Sequence, residues 1–142
     1  MIEIKINCLS NKAFCGKCCI NTEMILTVED ILTITSLGFE LNYFAIFNNG
    51  FLRLKNIDGH CVFFDKKLGK CNIYENRPWG CRLYPITYDP VNDEVLIDDY
   101  CPRSYEAVSY LKKYGVALLD ELRRFYLSAL KAKEIYGCRL MK

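Results

Sequence analysis

Residues 14–19 read Phe14-Cys15-Gly16-Lys17-Cys18-Cys19. Cys15 and Cys18 form a C-x2-C knuckle: two thiolates at this spacing can point into one concavity, and the glycine lets the backbone turn tightly around a metal. Thioredoxin-type redox pairs share the spacing, but they sit in a βαβ context that is missing around this segment. Cys19 follows directly. Adjacent side chains diverge in an extended chain, so the third thiol points to a second nearby centre, to a multinuclear cluster, or to one ligand beside a core thiol.

Working outward, Cys8 lies upstream of the knuckle, and Cys61, Cys71, Cys81, Cys101 and Cys138 lie downstream, nine cysteines in 142 residues. Scattered buried thiols would be the plainest explanation, since cysteine packs as a small hydrophobe. A disulfide framework is another, and the odd count and an adequate core speak against it. The opening Met1-Ile2-Glu3-Ile4-Lys5-Ile6-Asn7 has no unbroken apolar run of the signal-peptide kind, so the expectation is a cytoplasmic protein with reduced thiols that bind metal. Cys61, Cys71 and Cys81 are separated by nine residues each, too wide for a knuckle but suited to the ends of short strands that converge in space. Cys101-Pro102 is the pair that closes the bacterial ferredoxin motif. Eight cysteines from Cys8 to Cys101 suffice for two four-thiolate sites. Cys138, on the last helix, is set aside as a free or packed thiol.

Hydrophobic residues make up 51% of the chain and charged residues 25%, which is globular composition. A net charge of +2 does not suggest a nucleic-acid binder, and no apolar stretch reaches the roughly 20 residues of a membrane span. Four thiolates around Zn²⁺ leave a net charge near −2, so nearby cations would be favourable. Lys17, Lys70, Arg77, Arg82 and Arg103 are close in sequence to the cysteines and could also donate hydrogen bonds to sulfur. The single histidine, His60, reads as a turn residue or a neighbour of the ligands, and its singleness excludes sites needing two histidines.

The fold class expected is α+β: a single domain over residues 1–142, with a metal-binding region at 8–101 and C-terminal helices at 104–137. Thr27 caps an N-terminal helix with Ile31, Leu32, Ile34 and Leu37 on its apolar face, and Gly38 ends it. Leu41 to Phe47 reads as a second short helix. Phe51 to Lys55, Cys61 to Phe64 and Cys71 to Tyr74 read as short strands, with a turn at Asp58-Gly59. Arg77-Pro78-Trp79-Gly80-Cys81 reads as a rigid turn or one helical turn. Ile86 to Tyr88 can pair with Val95 to Ile97. Ser104 caps a helix to Tyr114, Gly115 breaks it, and a longer helix runs to Tyr136 with Gly137 closing a helical hairpin. Leu118, Leu119, Leu122, Phe125, Tyr126, Ala129 and Leu130 recur at helical spacing and form its core-facing stripe.

The knot at 14–19, Cys61, and the run Cys71-Asn72-Ile73-Tyr74-Glu75-Asn76-Arg77-Pro78-Trp79-Gly80-Cys81-Arg82-Leu83-Tyr84-Pro85 resemble the YkgJ-type cysteine-cluster family, the CxxCxxCC type of zinc- or iron-chelating domain. The resemblance covers about Cys8 to Cys101. It implies a metal centre held by about eight cysteines, and it puts Cys15, Cys18, Cys19, Cys61, Cys71, Cys81 and Cys101 on metal-binding positions, with Arg77, Pro78 and Arg82 on framework positions. The family often places a cysteine three residues before the knuckle. Lys12 stands there in this chain, so Cys8 would substitute from farther away. A related domain in flagellin lysine N-methylases implies a role as an accessory part of a protein-modifying enzyme. No dinucleotide fingerprint, P-loop or radical-type C-x3-C-x2-C triplet is present, so any catalysis would use the metal or a partner. Two other readings stand beside it: an iron–sulfur protein, with a 4Fe–4S cluster and a redox or electron-transfer partner, and a zinc protein whose stapled fold binds another protein.

Overall fold

A computed structural model describes residues 2, 4, 9–10, 13–14 and 17–140. Cys8, Lys12, Cys15 and Gly16, and with them half of the knuckle, lie outside the described residues. The architecture is α+β. Short antiparallel ladders are gathered between an N-terminal helix and a long C-terminal one, and no described helix is long and apolar enough to cross a membrane.

The chain begins with β1 (Leu9–Ser10) paired to β2 (Ala13–Phe14), then a 3₁₀ turn at Lys17–Cys19. Helix α1 (Val28–Ser36) starts at a capping box: the Asp30 N–H donates to Thr27 Oγ1 at 3.2 Å and the Thr27 N–H donates to Asp30 Oδ2 at 2.9 Å. Gly38, at φ 103°, carries the chain out of the helix. Ile31 and Ile34 are buried, while Leu32 and Leu37 face solvent, which narrows the expected apolar face by half.

The expected helix over Leu41 to Phe47 is only half present. Helix α2 is a single turn (Leu41–Phe44), and Ala45–Asn48 is β3, paired residue for residue with β4 (Phe51–Leu54). Asn49 and Gly50 have φ 48° and 80°, the two positive values of a tight two-residue hairpin turn. That turn, with β4 offering Leu52 and Leu54 to the core, outweighs the local helical tendency. Two further hairpins follow: β5 (Asn56–Ile57) with β6 (His60–Cys61) through the Asp58-Gly59 turn, and β7 (Phe64–Asp65) with β8 (Lys70–Cys71). The strands expected over Cys61 to Phe64 and Cys71 to Tyr74 are therefore shorter. Each ends at or next to its cysteine, and Tyr74–Asn76 is a 3₁₀ turn.

Pro78 leads into α3 (Trp79–Leu83), the one helical turn expected there, and the Tyr84–Pro85 peptide bond is cis. Strands β9 (Ile86–Asp89) and β10 (Glu94–Ile97) pair as expected, with Ile86 opposite Ile97 and Tyr88 opposite Val95. The helix expected from Ser104 opens as a 3₁₀ turn at Ser104–Glu106, and α4 proper is Ala107–Tyr114. Helix α5 spans Val116–Leu140 and does not stop at Gly137. That glycine is buried, and its missing side chain lets the helix approach the Phe47 ring, which would lie 3.6 Å from a Cβ.

Two apolar clusters form the interior. One joins Ile31, Ile34, Phe44, Leu52, Phe63 and Ile73, and Ala132 of α5 belongs to it. The other joins Ile4, Trp79, Leu83, Ile86 and Ala107, and Leu118 and Leu122 of α5 belong to it. At about 1.5 Å per residue, α5 is long enough to serve both. It packs on α1, on β3 and β4, and on β9 and β10.

Candidate metal centre

Cys18, Cys19, Cys61, Cys71, Cys81 and Cys101 line one cavity of about 390 Å³. Each arrives from a different local device. Cys18 and Cys19 sit on the 3₁₀ turn. The following residues tie that turn to the first small hairpin: Ile20 bridges to His60, and the Asn21 N–H donates to Gly59 O at 2.8 Å. Cys61 ends β6 and Cys71 ends β8, and the Asn72 N–H donates to Phe63 O at 2.7 Å, which continues the β7–β8 pairing one step past Cys71. Cys81 lies in α3, and Cys101 in the turn after β10.

Helix α3 is held from two sides by buried carboxylates. The Trp79 N–H donates to Asp30 Oδ1 at 2.8 Å, and the indole Nε1–H donates to Glu121 Oε2 at 3.3 Å. Asp30 and Glu121 are 4% and 1% exposed, and buried acceptors of this kind have to be satisfied. The position of Cys81 thus depends on α1 and α5, which lie outside the cysteine pattern. Neither Asp30 nor Glu121 belongs to the cysteine pattern. The Thr27-x-x-Asp30 spacing carried the first half of this signal; nothing local marked the second.

Cys18, Cys19, Cys61, Cys71, Cys81 and Cys138 are free thiols. The Cys19 thiol hydrogen-bonds to Cys18 and lowers its pKa to about 7, with the Arg77 charge adding to the effect. The same bond, then burial, pushes Cys19 far up. One proton of this pair therefore leaves readily and the other is held. Burial pushes Cys61 up to about 11 and raises Cys71 and Cys81 as well, and the neighbouring thiols add to all three. Such mutual influence marks the five as one electrostatic group. Among the described residues, no three His, Cys, Asp or Glu side chains close on a single point as a preformed ligand set. The thiols stand around the cavity. Six soft sulfur donors on one concavity suit a thiophilic metal, which would replace the protons that burial otherwise retains.

Four cations line the same cavity: Lys17, Lys70, Arg77 and Arg103. Arg77 is oriented by a 3.0 Å hydrogen bond from Nε to Tyr74 O and by the Tyr74 ring, 4.1 Å away; Arg103 is oriented by Glu106 at 3.0 Å. Arg82, expected among these cations, does not line the cavity. It lies in the field of Asp30, and its buried Nε has no hydrogen-bond partner among the described residues. His60 stacks on Phe64 with centroids 5.1 Å apart and does not line the cavity. Cys138 is exposed on α5, away from it.

The family model described as "Putative zinc- or iron-chelating domain", the CxxCxxCC family, matches residues 7–102. The chain belongs to this family. It is a cysteine-cluster metal-binding protein. It is 35% identical over 89 residues to an uncharacterized protein of Methanocaldococcus jannaschii, a match covering 58% of this chain and 48% of that one. The chain therefore spans about half the length of the relative. No solved structure matches it.

Proposed function

We propose that this CxxCxxCC domain carries an iron–sulfur cluster, of the 4Fe–4S type, and exchanges single electrons with a protein partner in the reducing cytoplasm. The observation that carries this reading is the combination of six cysteines and four cations around one open cavity of about 390 Å³. A structural zinc site is closed on four ligands and leaves no such room, whereas a cluster needs space for its own sulfides and gains from cations that stabilise its charge. In this reading Cys61, Cys71 and Cys81, with Cys18 or Cys19, hold the cluster. Cys101 and the undescribed Cys8 and Cys15 complete the set or serve a second centre. The bound group would supply reversible one-electron chemistry. The chain's own residues hold the sulfurs, exclude water with Phe63 and Ile73, and place Lys17, Arg77 and Arg103 to offset the charge. The domain is taken as a single folding unit over residues 1–142, and no membrane or nucleic acid enters the proposal.

A second reading, a zinc-stapled interaction domain, is favoured by one observation. Cys61 and Cys71 end hairpins only two residues long on each side, which gain little stability unaided. Anaerobic purification with metal analysis and a visible spectrum separates the two. A brown protein with iron and acid-labile sulfide that bleaches on reduction is the expected result; a colourless protein with stoichiometric zinc overturns the cluster. The role of an accessory domain in a protein-modifying enzyme would need a stable complex with such an enzyme.

A further inference from the structure

A second cavity of about 550 Å³ lies beside the cysteine cavity and shares Cys18, Thr22, Met24 and Tyr84 with it. The Met24 side chain fills the space next to Gly80, where an added Cβ would overlap its sulfur. On the far side, the second cavity is walled by aromatic rings. Tyr126 is central, with its ring centroid 5.8 Å from Phe51 and 5.7 Å from Tyr88; Tyr84, Tyr100 and Phe125 add to the wall. The charges differ sharply between the two cavities. The described residues lining the second include two carboxylates, Glu23 and Asp98, and no Lys, Arg or His. Asp98 is fixed in place, accepting from Tyr84 Oη at 2.8 Å and from the Tyr100 N–H at 3.0 Å. The chain's own cations already use two of these rings from elsewhere: Lys17 Nζ lies 5.2 Å from the Tyr100 centroid and Arg53 Cζ 5.8 Å from that of Phe51.

Aromatic faces attract cations, and they do so most where water is scarce and a carboxylate adds its field. From this charge complementarity we propose that the aromatic cavity is a binding site for a small organic cation with an apolar body. Its aromatic rings and carboxylates lie outside the cysteine set, and the proposal does not depend on which metal the cysteines hold. An anion would meet two carboxylates and, among the described residues, no lining cation there. A neutral apolar molecule would gain contact area but not the charge.

The test uses the full-length protein with its metal as purified, at low salt, and compares choline with 3,3-dimethylbutan-1-ol, a molecule of the same shape without the charge. Saturable choline binding by calorimetry, about tenfold tighter than the alcohol, is the expected result. Tyr126→Leu should weaken choline about threefold or more, while Tyr126→Phe keeps the ring face and the affinity. Asp98→Asn should weaken choline and leave the alcohol unchanged. Metal content, measured on every variant, reports whether the fold around the cysteines is intact. Equal affinity for choline and the alcohol overturns the proposal, as does the absence of saturable choline binding to the metal-loaded wild type. Undiminished choline binding by Tyr126→Leu does so too.

Discussion

Asp30 offers the sharpest test of how the cysteine cavity is positioned. Its carboxylate accepts the Thr27 N–H at 2.9 Å and the Trp79 N–H at 2.8 Å, so Asp30→Ala removes a capping interaction and strands two buried donors. Each stranded donor costs about 1–3 kcal/mol, the capping bond from Thr27 being one of the two. Against this, burial raises the Asp30 pKa and thus disfavours its charge, so removing the charge returns part of the loss. The net expectation is about 3 kcal/mol, a large share of a domain's roughly 5–15 kcal/mol and equivalent to about 10 °C in Tm. Asp30→Asn keeps one acceptor oxygen and sheds the charge, so its cost should be about half of that. The assay is urea and thermal denaturation at fixed metal loading. The single tryptophan, Trp79, provides a fluorescence signal inside the helix that carries Cys81. A loss below about 1 kcal/mol for Asp30→Ala, or an Asn variant less stable than the Ala variant, would refute the reasoning. So would an unshifted Trp79 emission.

Gly80→Ala should cost about 1–3 kcal/mol, because the new methyl overlaps the Met24 sulfur and lies 3.3 Å from Phe125 Cζ; Met24→Ala should relieve it, and strict additivity of the two in a double-mutant cycle would show that the overlap is not the cause. Arg123 and then the Tyr88 hydroxyl hold Asp93 down to about 2. A depressed carboxyl of this kind contributes stability above its unfolded pKa near 4 that is lost as pH falls through about 2. Arg123→Leu should move the Asp93 carboxyl carbon titration back towards the ordinary range, and an unchanged NMR titration would contradict this. Cys71→Ser and Cys81→Ser should each lose metal, whereas Cys138→Ser, on the exposed face of α5, should retain it. Equal metal loss in all three would mean that the cavity is not the binding site.

Much of this molecule was legible in local pattern because the signals are short-range and stereochemical. The Thr27 cap, the Asp58-Gly59 turn, the Pro78 helix start and the pairing of β9 with β10 all follow from constraints on a few adjacent residues. The second half of the expected Leu41–Phe47 helix did not form, because the Asn49-Gly50 turn and the apolar residues of β4 recruited it into a hairpin. Gly137 is not a stop signal, because its missing side chain is used for close packing against Phe47 and the helix continues through it.

For the site itself, the sequence by itself determined the donor chemistry and the family, since thiolate spacing and the run from Cys71 to Pro85 are properties of the covalent chain. Tertiary structure alone decided which thiols meet. Cys18 and Cys101 are far apart in sequence, and only the strand pairing of residues 20–26 and the docking of the hairpins bring Cys18, Cys19, Cys61, Cys71, Cys81 and Cys101 to one cavity. Tertiary structure also decided that Arg82 points elsewhere, that Asp30 and Glu121 hold the Cys81 helix, and that an aromatic cavity lined by carboxylates adjoins the cysteines. Each of these depends on contacts between residues tens of positions apart, where burial and hydrogen-bond satisfaction outweigh any local preference.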